Sequence, residues 1–429
     1  MKDSGIAWIG KIPEGWDVNR NKICFDCSKT IIGKESMHSQ LLSLTTKGIK
    51  EKRPEDSTGK VPDSYDTYQS VEPDDIVMCL FDLDVSAVFS GRSVYYGMTS
   101  PAYKVLKCKA QYILPAYAEF WFAYVFDGRK FKHYSKNLRY TLTYEEFATL
   151  PITLPSLSEQ SRIAEFLDCR SKEIDHIMEQ TRVTIEEYKK LKQSIITEAV
   201  TQGVRGPRKM KDSGVEWIGK IPEEWGVTKL KYFSTIRSGI TLGKVYPNGT
   251  KLVTYPYLRV ANVQGSYTDL NDVAMISVTE EEAKKYRLYN GELLMTEGGD
   301  RDKLGRGTVW HAEIDPCLHQ NHVFALRTTS RLLPEFVGYL SASSVGRNYF
   351  DVTANQSVHL ASTNSTTILN FAIPFVSFEE QSEIVSYLDT KCAMINRMMD
   401  AKQQLLTELE AYKKSVIYEY VTGKREVPQ

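Results

Sequence analysis

No run of apolar residues in this chain approaches the roughly 18 that a membrane-spanning helix needs, so no bilayer span and no membrane partner is expected. The opening MKDSGIAWIG has charge but no apolar core behind it. It does not read as a signal peptide, and a cytoplasmic location is expected. There is no excess of charge of either sign, since 54 Lys and Arg balance 54 Asp and Glu. A zero total neither requires nor excludes nucleic acid, which needs a local basic surface. The seven cysteines are scattered, an odd number that fits a reducing compartment. Cys24 and Cys27 form a lone C-x-x-C with no second pair at zinc-ribbon spacing. Two half-buried thiols are the expectation there.

Catalytic signatures are missing as well. There is no G-x-x-x-x-G-K-[ST], no G-x-G-x-x-G opening a helix, no H-E-x-x-H, and no Asn-Pro-Pro-aromatic motif of amino-methyltransferases. Asp63, Asp74, Asp75, Asp82 and Asp84 lack the nearby Lys that a metal-dependent nuclease places on its next strand. His311, His319 and His322 fall close together, but the turn and strand between them favour structural or DNA-facing roles over a metal. No catalytic residue, metal site or cofactor is assigned to this chain.

What the chain has is two beginnings. MKDSGIAWIGKIPEGWDVNRNK at Met1 returns as MKDSGVEWIGKIPEEWGVTKLK at Met210, with 15 of 22 positions identical at an offset of 209. LSEQSRIAEFLD at Leu157 returns as FEEQSEIVSYLD at Phe378, and that repeat runs without a gap at an offset of 221. A repeat of this size makes the chain two copies of one unit, with room for a core in each. The stretches between the repeats, roughly 23–150 and 232–371, hardly match. Faint landmarks survive at an offset of 217: PDDIVM (73–78) against NGELLM (290–295), and LLSLTTKG (41–48) against LRVANVQG (258–265). The inserts are therefore expected to share a fold and differ at their surfaces.

The order of parts predicts an α+β chain. An aromatic tether, with Trp8 and Trp16 or Trp217 and Trp225 about a Pro, leads into a recognition domain of mixed α/β structure. A long helix follows. The expected division is 1–155 tether and first domain, 156–203 first long helix, 204–376 linker, second tether and second domain, 377–423 second long helix, and 424–429 tail. Apolar residues in a heptad series predict the helix seam: Ile163, Leu167, Ile174, Ile177, Tyr188, Leu191 and Ile195, then Ile384, Leu388, Ile395, Met398, Leu405, Leu409, Tyr412 and Val416. Two such helices pair most simply as an antiparallel coiled coil, giving an internal pseudo-two-fold repeat. About 44 residues span roughly 66 Å. Ser158 and Ser377 suit the helix starts, and Gly203 and Gly423 the stops.

Basic, planar and amide side chains gather in the inserts. Residues 127–140 hold Arg129, Lys130, Lys136, Asn137, Arg139 and Tyr140. The Gly-rich stretch 298–307 holds Arg301, Lys303 and Arg306, and further on come Gln356 and Ser357. Cations contact phosphates while amide and planar groups read base edges, so these are the candidate DNA contacts.

The duplicated layout, Glu159-Gln160 with Leu167-Asp168, Glu380-Gln381 with Leu388-Asp389, and the paired Trp segments together resemble the specificity (S) subunit of Type I restriction–modification enzymes. The resemblance covers essentially the whole chain. It implies that each insert is a target-recognition domain reading one half of a bipartite, asymmetric site on double-stranded DNA. It implies that the long helices set the spacing and dock two modification (methyltransferase) subunits and the restriction/translocase subunits. S-adenosylmethionine, ATP and Mg are then expected on those partner subunits. Two other classes stay open at this point, a non-catalytic assembly scaffold with a coiled-coil spacer and a stand-alone nuclease.

Overall fold

A computed structural model of the chain describes all residues except 28, 54–63, 136–139, 300–303, 357–360 and 429, and for 355 and 356 it describes the backbone alone. The chain forms two compact units whose boundaries fall inside the long helices rather than at their ends. One is Met1–Arg182 with Gln403–Gln429, and the other is Val183–Lys402. The long helices run Leu157–Gln202 and Phe378–Val421, so each unit holds a tether, an insert domain and part of both helices.

Both units are assembled by the same steps. The tether closes on itself as a small antiparallel pair, Lys2–Asp3 with Lys11–Ile12 in one unit and Met210–Asp212 with Lys220–Pro222 in the other. Its tryptophans anchor it. Trp16 and Trp225 are 2% and 1% exposed, and the Trp8 ring packs 6.0–6.4 Å from Trp121, Tyr124 and Phe131. Next, Asp17–Arg20 pairs with Pro151–Leu154, and Gly226–Lys229 pairs with Ala372–Phe375. These pairings zip the two ends of each insert together at its base, so the loops beyond them can vary without unfastening the domain.

Each insert then builds a four-stranded antiparallel sheet of the same order. The first runs Phe25–Asp26, Lys104–Cys108, Ile76–Met78, Ser90–Arg92, and the second Ser234–Ser238, Val323–Thr328, Leu293–Thr296, Gly307–Val309. The landmark segments 73–78 and 290–295 are equivalent strands with their acidic turns. Asp75 and Glu292 are buried, each accepting a hydrogen bond from its own turn, Glu72 N at 2.9 Å and Tyr289 N at 3.0 Å. Each also faces a cation from the neighbouring strand, Lys107 at 3.9 Å and Arg327 at 2.8 Å. A lone buried carboxylate would cost several kcal/mol, so the acid and its partner are kept together. The second landmark holds too, because Leu41 bridges Met98 and Leu258 bridges His319, both in parallel.

The Glu-Gln of each long helix has a structural purpose. Gln160 and Gln381 are completely buried. Gln160 Oε1 accepts from Leu114 N at 2.9 Å while Nε2 donates to Tyr112 O and Pro155 O at 2.9 and 3.0 Å. Gln381 repeats this with Leu333 N at 2.8 Å, Arg331 O at 3.0 Å and Val376 O at 3.1 Å. Leu114 and Leu333 are the N-caps of the domain helices Pro115–Asp127 and Pro334–Ala342, whose own side chains offer no cap. One glutamine thus satisfies an orphan helix donor and locks the domain to the long helix.

Within each unit the long helices run antiparallel. The Phe166 and Tyr420 rings pack tilted at 4.6 Å between centroids, Asp175 meets Lys413 at 2.7 Å, and Lys192 Nζ donates to Asn396 Oδ1 at 2.8 Å. Lys192–Asn396 and Lys413–Asp175 are the same contact at the repeat offset. The seam departs from the heptad reading. Ile163, Leu167, Ile174, Ile384, Leu388, Ile395 and Val416 are buried, and Tyr188, Ile195, Leu405 and Leu409 half-buried. Ile177, Leu191, Met398 and Tyr412 are exposed, while Met178, Ile196 and Leu406 are buried instead. The buried stripe drifts at the 3.6-residue period of a straight helix, not the 3.5 of a supercoil. The reason is the third partner, since Ile163, Leu167, Val416 and Tyr420 join one core with Tyr117, Trp121 and Trp16. The helix starts also differ in one place. Ser156, not Ser158, caps the first through Glu159 N at 3.3 Å, whereas Ser377 caps the second through Glu380 N at 3.2 Å. Gly203 and Gly423 end them at φ +78° and +64°.

Candidate nucleic-acid interface

In the second unit, the loop between the strands Leu293–Thr296 and Gly307–Val309 is the Gly-rich stretch. Its Gly298–Gly299 pairs with Ala361–Ser362, which pairs in turn with Asn355–Gln356. Two polar segments far apart in sequence therefore share one small sheet. The base of that sheet is fastened by Thr363 N donating to Glu297 O at 2.7 Å and Glu297 N to His322 O at 2.9 Å. His322 Nδ1 lies 2.5 Å from Glu297 Oε2. The far arm is held by Arg347, which donates to Leu304 O at 2.6 Å and Ser341 O at 3.0 Å. Gly305 has to be glycine, because at φ +63° an added Cβ would sit 2.6 Å from the Phe350 ring.

The same loop opens onto a cleft of about 630 Å³ within this unit, lined in part by Lys189, Lys192, Arg306, His311 and Arg347, with Glu335 and Asp389 opposing them. The excess of cations suits a polyanion, and the carbonyls and amides around it suit positioning contacts.

In the first unit, the basic segment is turned partly inward. Arg129, at φ 49°, donates from Nη1 to Leu83 O at 3.3 Å and Ser86 O at 2.7 Å, with its guanidinium 4.3 Å from the Phe126 ring. Lys130 donates to Tyr124 O at 3.1 Å and lies 4.0 Å over the Tyr124 ring, and burial lowers its pKa. Tyr140, at φ 47°, accepts from Leu83 N at 3.2 Å through its carbonyl, and its ring lies 5.0 Å from Lys132 Nζ. These contacts give Arg129 and Lys130 roles in shaping the domain. Lys136, Asn137, Arg139, Arg301, Lys303 and Ser357 lie outside the described residues, as does the side chain of Gln356.

The partner loop of the first unit, residues 80–88, escaped the sequence reading. It lies opposite 297–305 at the offset of 217 already visible in the landmark strands, which is the signal that locates it. Arg347 was missed because no motif marks an arginine that binds carbonyls. The other sequence candidates are structural. His319 is fully buried, its Nδ1–H donating to Val323 O at 2.6 Å, and burial lowers its pKa to about 4. Burial raises the Cys24 thiol to about 12, and Cys27 also rises, so neither is a ready thiolate. Among the described residues no cluster of His, Cys, Asp and Glu could hold a metal ion, and no helix is long and apolar enough to cross a membrane.

Comparison with known proteins places this architecture. Residues 222–411 match the family model for the Type I restriction modification DNA specificity domain. The chain is 27% identical over 220 residues to the putative type I restriction enzyme MjaX specificity subunit of Methanocaldococcus jannaschii, covering 47% of this chain and 51% of that one. It is 23% identical over 269 residues to the type I restriction enzyme EcoKI specificity subunit of Escherichia coli K12, covering 59% and 54%. The chain thus spans about half the length of these relatives. A chain from a solved structure of complex assembly and conformational transition in the type I R-M system superposes with a TM-score of 0.72 at 15% identity, over 97% of this chain and 100% of that one. Residues 222–411 thus match the Type I restriction modification DNA specificity domain, and the fold of the whole chain is similar to that of a chain from a type I R-M system.

Proposed function

We propose that this chain is the DNA-recognition subunit of a Type I restriction–modification complex and performs no catalysis itself. It reads a bipartite, asymmetric site on double-stranded DNA, one half-site per unit. The observation that carries this reading is a scaffold built twice with the same fastenings and given different loops. The base zipper, the acid-capped strand and the buried glutamine recur residue for residue. The segments between the equivalent strands do not, so what each unit meets differs while how it is held does not. Polar loops on a rigid base are the usual form of a reader.

Two modification subunits and the restriction/translocase subunits are the partners in this reading, with S-adenosylmethionine, ATP and Mg bound on them. The exposed apolar residues Ile177, Val183, Leu191, Met394 and Met398 on the long helices support docking there. The test is DNA retention by the chain with its modification subunit, together with mapping of methylated adenines in cells with and without the gene. The reading requires a split methylated motif that vanishes with the gene. An unchanged methylation map would leave the assembly-scaffold reading, and sustained DNA cleavage by the isolated chain with Mg²⁺ would favour the nuclease.

A further inference from the structure

We infer that residues 82–87 are the base-reading loop of the first unit, with Asp84 and Val85 at its tip and Arg129 and Tyr140 as positioning residues. This rests on the reading of the chain as a DNA-recognition subunit. The loop joins Ile76–Met78 to Ser90–Arg92, as the Gly-rich loop joins the equivalent strands of the second unit. Both loops are tied at the same point by the same bond: Leu142 N donates to Leu80 O at 2.8 Å, and Thr363 N to Glu297 O at 2.7 Å. Both are gripped by an arginine from the segment after the domain helix, Arg129 on Leu83 O and Ser86 O, and Arg347 on Leu304 O.

The first loop has no glycine, and its shape is enforced by other means. Asp82, Arg129 and Tyr140 adopt φ of 51°, 49° and 47°, three of the five non-glycine residues at positive φ among those described. Such conformations persist only where the surroundings over-determine them. Here Val85 N and Ser86 N both donate to Asp82 O, at 3.1 and 2.7 Å, and Leu83 N donates to Tyr140 O at 3.2 Å. Leu83 is buried as the loop's root while Val85 is 74% exposed at its tip. Among the described residues the Asp84 carboxylate has no hydrogen-bond or ion-pair partner. An acid placed toward DNA is repelled by phosphate, so its useful partner is an exposed amino group, cytosine N4 or adenine N6. A valine beside it offers apolar contact for a thymine methyl. Lys132, near Tyr140, supplies a neighbouring cation to offset the repulsion.

The experiment maps methylation motifs directed by the complete complex carrying Asp84→Asn, Val85→Ser or Arg129→Lys, alongside DNA affinity at several salt concentrations. The expected result is an altered or relaxed base preference, roughly ten-fold or more in relative site usage, at adjacent positions of one half-site. The other half-site keeps its sequence. Arg129→Lys keeps the charge and loses the two-carbonyl grip, so it should relax the same positions. The inference is overturned if DNA is retained and the motif is unchanged in the Asp84 and Val85 variants. It is overturned equally if Arg129→Lys lowers affinity for all sequences alike and flattens the salt dependence, the mark of a phosphate contact. A wild-type complex that neither retains DNA nor directs methylation would instead overturn the proposed function beneath it.

Discussion

Replacing Gln160 by Ala should destabilise the first unit sharply, although the residue touches no ligand. The side chain is completely buried and makes three bonds of 2.9 to 3.0 Å to backbone groups of Leu114, Tyr112 and Pro155. Truncation leaves three buried backbone groups unpaired. Even at the low end of about 1 kcal/mol each, the loss is at least about 3 kcal/mol, a large part of a typical domain's stability of about 5–15 kcal/mol. Gln381→Ala should cost a similar amount, because its three bonds are equivalent. Gln160→Glu separates hydrogen bonding from volume. A carboxylate still accepts from Leu114 N but presents charge to two carbonyls, so its folded-state pKa is raised above the unfolded value. Stability of that variant is then fully present below the ordinary carboxylate range and lost as pH rises through the raised value. Urea unfolding of the full chain at pH 4.5 and 7.5 reads all of this. A Gln160→Ala cost under about 0.5 kcal/mol, or a Gln160→Glu variant no better at low pH, would refute the reasoning.

Three further outcomes follow from single contacts. Glu380→Ala strips a buried carboxylate from Arg208 and from Trp225 Nε1 at 3.1 Å, and should lower stability by about 3–5 kcal/mol in urea titration. Burial holds His319 near 4, below its unfolded value, so the folded unit resists protonation and stability falls as pH drops from about 6.5 toward 4; a His319→Asn variant should lose that slope in thermal melts across the same range. Gly305→Ala forces a Cβ into Phe350, and should weaken DNA retention through the second unit while leaving unfolding of the first unchanged.

What the sequence made legible follows the repeat. Both tethers, both long helices and the strands at 73–78 and 290–295 stand where their repeated residues put them. The helix seam was only half legible. Ile177 and Leu191 fit a heptad on paper but lie exposed, because within each unit the domain helix and a tether tryptophan, Trp16 in one and Trp225 in the other, pack on the long helices from a third side. A one-dimensional pattern cannot register that third side. The recognition loops were legible in composition but not in pairing. That Gly298 would lie beside Ser362 depends on the sheet, not on any motif. Arg129 reads from sequence as a DNA contact because lysine- and arginine-rich runs are usually solvated. Its inward turn depends on a left-handed backbone that nothing in the residue type announces.

The central claim is that two units on one scaffold each read their own half of a split site. Exchanging residues 23–150 for the corresponding insert of another specificity subunit, then mapping the methylated adenines, tests it most directly. The account predicts a motif with one half replaced, the other half intact, and the spacer between them unchanged. A motif altered in both halves, or in neither while methylation continues, would contradict it.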